Sequence, residues 1–312
     1  MAPNSTGPPK EVDLSEFVDP HILAKYERES GMIGFLEHMF SQDVPPPVPR
    51  DVSIETIREQ HQLFRLPNWL DTTGWERVID HEIISEDGAK IPARIYYPDP
   101  MKYGDGPYPV HLNYHGTAKA SATKLNVNPD SMSIGGISAG GAISVVLQHL
   151  ARVLQHLARN AGIPLKLCLL AVTPTTEGLA YSDYTDSPFQ SFHEFNKDPI
   201  LPWAQTKYFG SHCMPKDKLP ELKAMWPDWW FSPLRATNWD GLCDTFIRTA
   251  EIDMLRDECE AYGVKLIAGG TKVTFKRYIG VPHLFMYFPF LQPAKQFDLD
   301  AIEALKRAHG LI

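Results

Sequence analysis

Residues 131–141, SMSIGGISAGG, constrain the fold of this chain more than any other stretch. A short β-type run reaches Gly136-Ile137-Ser138-Ala139-Gly140, and an apolar-periodic segment, AISVVLQHLARVLQHLAR, follows at once. A G-x-S-x-G stretch between a strand and a helix reads as a sharp turn that lifts the serine hydroxyl clear of a sheet. Small flanking residues let such a turn close without clashes. The helix that starts there aims unpaired amides and a positive dipole end at the same point. A chain organised around this turn needs parallel strands on either side of it and helices to cover both faces.

The rest of the sequence supplies those elements. YPVHLNY (108–114) and SMSIGG (131–136) read as strands, and LKLCLLAV (165–172) as a buried strand after the helix that begins at Ala139. CDTFIRTAEI (243–252), RDECEAYGVKLIAG and KVTFKRYIG (272–280) continue the strand–helix–strand alternation, and a last helix runs from about Ala294 to Ala308. Before them, two β-rich runs flank Glu86-Asp87-Gly88 as a hairpin. The first 70 residues hold helical patterns at 19–40 and 53–64 separated by VPPPVPR, whose prolines force a break. Such an arm can cover a cleft or pad a sheet edge. Residues 175–240, rich in proline and aromatics, lack a clean period and read as an irregular helical insertion. The heptapeptide VLQHLAR occurs at 146–152 and again at 153–159. Seven residues are nearly two turns, so Leu147, Leu150, Leu154 and Leu157 share a face, and the doubled unit lengthens one amphipathic helix by ~10 Å.

Several function classes are excluded. A formal charge of −8 over 312 residues argues against a nucleic-acid footprint or an anionic-membrane surface. No apolar run reaches the ~18 residues of a membrane-spanning helix, and the start lacks a signal-peptide core, so a cytoplasmic protein is expected. Cys168, Cys213, Cys243 and Cys259 are widely spaced with no CxxC pair, which suggests reduced thiols rather than a metal or redox site.

A serine attacks well only when a base takes its proton and a third group orients the base. Among histidines after Ser138, His149 and His156 lie in the helix, His193 and His212 fall in the insertion, and His309 ends the last helix as a solvated charge. His283, in YIGVPHLF, follows the last strand in a loop that can swing toward the sheet rim. In TAEIDMLRDE, Asp253 sits directly at a strand end, whereas Asp257 lies a turn further on, placed to pair with Arg256 or Lys265.

With HG at 115–116, GISAGG at 136–141, TAEIDMLRDE at 249–258 and YIGVPHLF at 278–285, the chain resembles the hormone-sensitive-lipase-like esterases of the α/β-hydrolase fold. The likeness runs from about residue 75 to the C-terminus, with residues 1–70 similar to an N-terminal helical cap and 71–312 to the hydrolase domain. It implies a mostly parallel sheet with helices on both faces and Ser138, His283 and Asp253 as a catalytic triad. Gly116, Thr117, Ala139 and Gly140 would form the oxyanion and substrate-binding loop. The implied activity is hydrolysis of short or medium acyl esters, small molecules such as acylated secondary metabolites, with no metal or organic cofactor. The residue choice around GISAGG looks fungal. The exposed leucine-bearing helix extension would favour a homodimer.

Two departures from the family pattern stand out. Thr117 and Ala118 replace the glycine run that normally follows His115-Gly116. A β-branched threonine resists the positive φ angles of such loops. Only fourteen residues, 117–130, separate the oxyanion loop from the nucleophile strand, where relatives place a helix, a strand and another helix. The resemblance therefore implies that one central strand and its helices are missing between residues 116 and 131. It also raises an alternative function: a catalytically impaired or non-hydrolytic ligand-binding protein.

Overall fold

The structure, a computed structural model, describes residues 13–29, 31–41, 53–59, 77–84, 88, 90–114, 126–157, 164–175 and 181–312. At the N-terminal end, α1 (Pro20–Tyr26) starts where the Asp19 side chain accepts from the His21 amide and proline occupies the first turn. A separate helix, α2 (Met32–Ser41), follows, so the periodic stretch 19–40 is two helices rather than one. Tight turns from Arg28 to Lys25 and Glu29 to Tyr26 end α1. Gly31 lets α2 pass close to Leu291, whose Cδ2 would lie 2.9 Å from an added β-carbon. Next, α3 (Ile54–Glu59) occupies the start of the second expected helix, and residues 60–64 lie outside the described residues.

The expected hairpin pairs β1 (Val78–Ile84) with β2 (Lys90–Tyr96) antiparallel, Ile83 opposite Ile91. Cross-strand ion pairs, Lys90–Glu82 at 2.8 Å and Arg94–Asp80 at 2.7 Å, lie on its exposed face. After a short turn of helix, α4 (Pro100–Tyr103), comes the main sheet: β3 (Tyr108–Tyr114), β4 (Val127–Ile137), β5 (Leu165–Ala171), β6 (Thr245–Ile252) and β7 (Val273–Pro282). All five run parallel in the order β3-β4-β5-β6-β7, and among the described residues the hairpin forms a sheet of its own. The crossovers are α5 (Ala139–Leu157) after β4 and α10 (Arg256–Ala268) after β6, while α11 (Gln292–Ala308) follows β7. Among the described residues between β5 and β6 lie four short α-helices, α6 (Gln190–Glu194), α7 (Trp203–Cys213), α8 (Leu219–Met225) and α9 (Asp228–Phe231), as expected of an irregular insertion.

Alternation along β5 shows how both faces are covered. Cys168 and Leu170 join Ile134, Val145, Ile247, Cys259, Tyr262 and Leu266 beneath α5 and α10. Leu167 and Leu169 join Phe246 beneath Ala301, Ala304 and Leu305 of α11. A third cluster gathers at the carboxyl ends of the strands, where Ile22, Tyr26, Met32 and Leu36 pack with Phe192, Phe195, Val281, Phe285 and Phe288. Of the N-terminal helices, α1 and α2 thus pack at this end of the sheet, with α1 against the edge strand β7. All four cysteines are free thiols, with Cys168 and Cys259 buried as their apolar settings suggest.

The first copy of VLQHLAR faces the core. Gln148 donates to the Cys243 carbonyl at 3.0 Å and to Thr245 Oγ1 at 2.8 Å, and His149 Nε2 lies 3.1 Å from the Tyr262 hydroxyl. The described part of the helix runs to Leu157, inside the second copy. His309 is not the solvated charge its position suggests. It is half-buried, with Nδ1 2.8 Å from Ser131 Oγ and Nε2 2.9 Å from Ser133 Oγ, which ties the end of α11 to β4.

Candidate active site

Because the strands are parallel, the ends of β4, β6 and β7 meet on one rim, and a candidate side chain stands at each. Ser138 follows β4 with φ at +53°, the left-handed region that residues other than glycine seldom occupy. Its amide donates to the Ala171 carbonyl at 2.9 Å and its carbonyl accepts from Ala142 at 3.1 Å, so the turn is held from both sides. The motif glycine Gly136 is required by packing. A β-carbon there would lie 2.3 Å from the Gly140 carbonyl carbon and 2.7 Å from the Gly141 nitrogen. Strain of this kind, about 1–3 kcal/mol per residue, persists where surrounding structure fixes it.

Asp253 follows Ile252 at the end of β6, and His283 follows Pro282 at the end of β7; Ile252 and Pro282 are partners across the two strands. His283 Nε2 lies 3.0 Å from Ser138 Oγ, and His283 Nδ1 lies 2.9 Å from Asp253 Oδ2. The other Asp253 oxygen accepts from the Leu255 amide at 2.9 Å. An ionised carboxylate can only accept, so it selects the tautomer with hydrogen on Nδ1 and leaves Nε2 to accept from the serine. Asp253 and His283 are 1% and 2% exposed, so the pair is shielded from water that would compete for these bonds. Leu284, next in the chain, has φ +61° and turns the backbone away immediately after the imidazole.

The loop carrying Asp253 is braced from the insertion. Ser191 donates from its amide to Asp257 at 2.8 Å and from its hydroxyl to the Met254 carbonyl at 2.7 Å. Asp257 pairs with Arg256 at 2.7 Å, one of the two partners its position suggests. Burial pushes the Asp257 carboxyl up, but the Arg256 guanidinium and the Ser191 amide outweigh it and hold the group below the usual carboxylate range. Sequence reasoning passes over Ser191, because a serine in an irregular stretch carries no signal of what it will brace.

Ala139 and Gly140 open α5, and Ala139 stands directly after Ser138, where the resemblance places an oxyanion donor. Gly116 and Thr117 lie outside the described residues. Of the tryptophans near the insertion, Trp203 packs on the cluster at the rim. Trp229 packs on His149 with ring centroids 5.4 Å apart and the planes tilted by 47°, and Trp226 stacks on Trp230 at 5.9 Å. His149 lies eleven residues along α5 from Ser138, roughly 16 Å at the rise of a helix. Trp229 is therefore remote from the serine. Among the described residues no group of three or more histidine, cysteine or acidic side chains is placed to hold a metal, and no helix is long and apolar enough to cross a membrane.

Residues 110–287, more than half of the chain, match the sequence profile of the alpha/beta hydrolase fold family. The chain belongs to that family. An AB hydrolase superfamily protein of Schizosaccharomyces pombe is 30% identical to this α/β hydrolase over 193 residues, 60% of this chain and 52% of that protein. The carboxylesterase NlhH of Mycobacterium tuberculosis is 31% identical over 209 residues, 65% of this chain and 60% of that enzyme. The α/β hydrolase described here thus spans little more than half the length of these relatives. A solved esterase from the archaeon Pyrobaculum calidifontis superposes with a TM-score of 0.62 at 23% identity, covering 85% of this chain and 93% of that one, a likeness of fold. The hormone-sensitive-lipase-like resemblance of the motifs agrees with this membership.

Proposed function

We propose that this α/β hydrolase is a serine carboxylesterase acting on short or medium acyl esters. The observation that carries the reading is the continuous hydrogen-bond series from Ser138 through His283 to Asp253, with links of 3.0 and 2.9 Å. In this reading Ser138 Oγ attacks the ester carbonyl while His283 Nε2 takes its proton. The Asp253 carboxylate holds the imidazole in place and stabilises the imidazolium. The Ala139 amide, with Gly116 and Thr117 supplying further donors, receives the oxyanion. Collapse of the tetrahedral intermediate expels the alcohol, which leaves with the proton from His283. Water then enters by the same route, and the acid departs from the acyl-enzyme.

The missing central strand belongs to the same proposal. Only twelve residues, 115–126, join the end of β3 to the start of β4, and the hairpin pairs with no strand of the main sheet among the described residues. Both are what removal of a strand between β3 and the hairpin would leave. The Thr117-Ala118 departure favours one rival, a ligand-binding protein with little turnover, because loss of a single oxyanion donor costs about 100- to 1000-fold in rate.

Hydrolysis of p-nitrophenyl acetate and butyrate by the wild type and by Ser138→Ala tests the reading. Turnover that the substitution abolishes supports it, and equal background rates in both proteins reject it. Labelling by a fluorophosphonate separates a primed serine from an inert one.

A further inference from the structure

Beside the candidate triad the described residues hold a buried carboxyl, Asp198, that the mechanism above does not use. Asp198 is 1% exposed, and it joins parts of the chain that are far apart in sequence. Its Oδ2 accepts from the hydroxyl of Tyr26, 172 residues away on α1, at 3.0 Å. Its Oδ1 accepts from the amides of Ile200 at 2.7 Å and Leu201 at 2.8 Å, and its own amide donates to the Phe195 carbonyl at 3.0 Å. Four hydrogen bonds thus fix the turn 195–201 and fasten α1 to it. Tyr26 itself is fully buried.

What this turn carries gives the contact its meaning. Leu201 and Trp203 pack on the rim cluster, and so do Ile137 and Leu284, the neighbours of Ser138 and His283. The serine and the histidine thus border the same apolar cluster that holds the turn and α1, and the Tyr26–Asp198 bond joins the turn to α1. The charges around Asp198 come from several elements. Tyr26 faces it from α1 and Asp253 from the end of β6. Lys25 of α1 and Arg256 of α10 lie over the Phe195 ring at 4.7 and 5.1 Å, and both approach Glu194 of α6. Burial pushes the Asp198 carboxyl up to about 7, against the Leu201 and Ile200 amides that pull it down, and the Asp253 charge adds to the rise. Near neutral pH a second negative charge thus interacts with the carboxylate that orients His283.

We propose that Asp198 is a positioning residue of the Ser138 site, which through Tyr26 clamps the first helix onto the apolar cluster that receives the acyl chain and through its own charge adds to the field of Asp253. The proposal rests on the carboxylesterase reading and names what sets its acyl preference.

Three variants test it with p-nitrophenyl acetate and hexanoate between pH 6 and 8. Tyr26→Phe cuts the link between the turn and α1, and KM for hexanoate rises about five-fold, the equivalent of one hydrogen bond, while KM for acetate stays within two-fold. Asp198→Ala repeats that change. Asp198→Asn keeps an acceptor for the two amides and a polar contact to Tyr26, so its hexanoate KM stays near wild type. Removing the charge makes the ratio of wild-type to Asp198→Asn kcat/KM shift severalfold across the pH range. A Tyr26→Phe enzyme with unchanged hexanoate KM, or a ratio that stays flat with pH, overturns the proposal while Ser138-dependent turnover stands. Absence of Ser138-dependent turnover in the wild type instead rejects the carboxylesterase reading and this proposal with it. Should Tyr26→Phe fold poorly, Asp198→Asn still decides through its pH ratio.

Discussion

Substituting Gly141 by alanine should damage catalysis far more than stability. Gly141 is the third residue of α5, and an added β-carbon would lie 2.0 Å from Thr173 Oγ1 and 2.9 Å from Thr173 Cβ and Cγ2. Thr173 is fully buried just beyond β5, and its hydroxyl donates at 3.2 Å to the Ala171 carbonyl, the same oxygen that accepts from the Ser138 amide. Reaching an ordinary contact of 3.4 Å requires a separation of roughly 1.4 Å between α5 and residue 173, and the serine turn lies on that path. Overpacking of this kind costs about 1–3 kcal/mol, while alanine in place of glycine in a helix returns up to ~1 kcal/mol. The net loss is then ~0–3 kcal/mol, a few degrees in Tm for a domain of this size. Displacing a nucleophile by about 1 Å costs on the order of 100-fold in rate. Hydrolysis of p-nitrophenyl butyrate and thermal melting measure both quantities in one preparation. Gly141→Ala combined with Thr173→Ala, which removes the nearest atom, should recover at least about ten-fold of the lost kcat/KM. A Gly141→Ala enzyme within about three-fold of wild type, or no recovery in the double variant, would refute the argument that this contact sets the serine.

Further outcomes follow from other contacts. Asp253→Asn keeps the shape of the acid but frees the imidazole to adopt the wrong tautomer, and kcat should fall by about 10⁴ with KM little changed; a loss under ten-fold would deny Asp253 its role. Burial, aided by the Arg152 charge, pushes His149 down to about 4, so the unfolded chain takes up this proton near pH 6.5 and the folded one does not. The stability held above pH 6.5 is therefore lost as pH falls toward 4, by up to about 3 kcal/mol, and His149→Gln should show a shallower acid slope in denaturant titrations. Deleting residues 153–159 yields the same chain as deleting 146–152 and retains one set of Gln148, His149 and Arg152 contacts, so melting should stay cooperative with Tm within about 2 °C. A larger drop would assign packing to the second copy.

The strands and the three candidate site residues were legible because local pattern and function coincide there. β3 spans the same seven residues as YPVHLNY, and Asp253 and His283 each follow a strand end, where a parallel sheet has only one rim to offer. What sequence pattern missed depends on long-range contact. The close pass of Gly31 by Leu291 joins positions roughly 260 residues apart, and the apolar period of 19–40 gives no sign of the break between α1 and α2. Asp198 lies in a proline-rich stretch where one aspartate reads like any other, and its role is set by the Tyr26 hydroxyl and Asp253. The tryptophans of the insertion divide between the rim and α5 because ring packing follows the path of the backbone, which no local period records.

The two bonds that His309 makes with Ser131 and Ser133 have a practical corollary for anyone handling this protein. The imidazole is a tie rod between the end of α11 and the very strand that presents the nucleophile, while Leu311 and Ile312 are exposed. A fusion partner attached beyond residue 312 leaves the rod in place, whereas trimming back to 308 severs it. The choice of terminus for a purification handle is therefore a choice about how firmly the reactive oxygen is held.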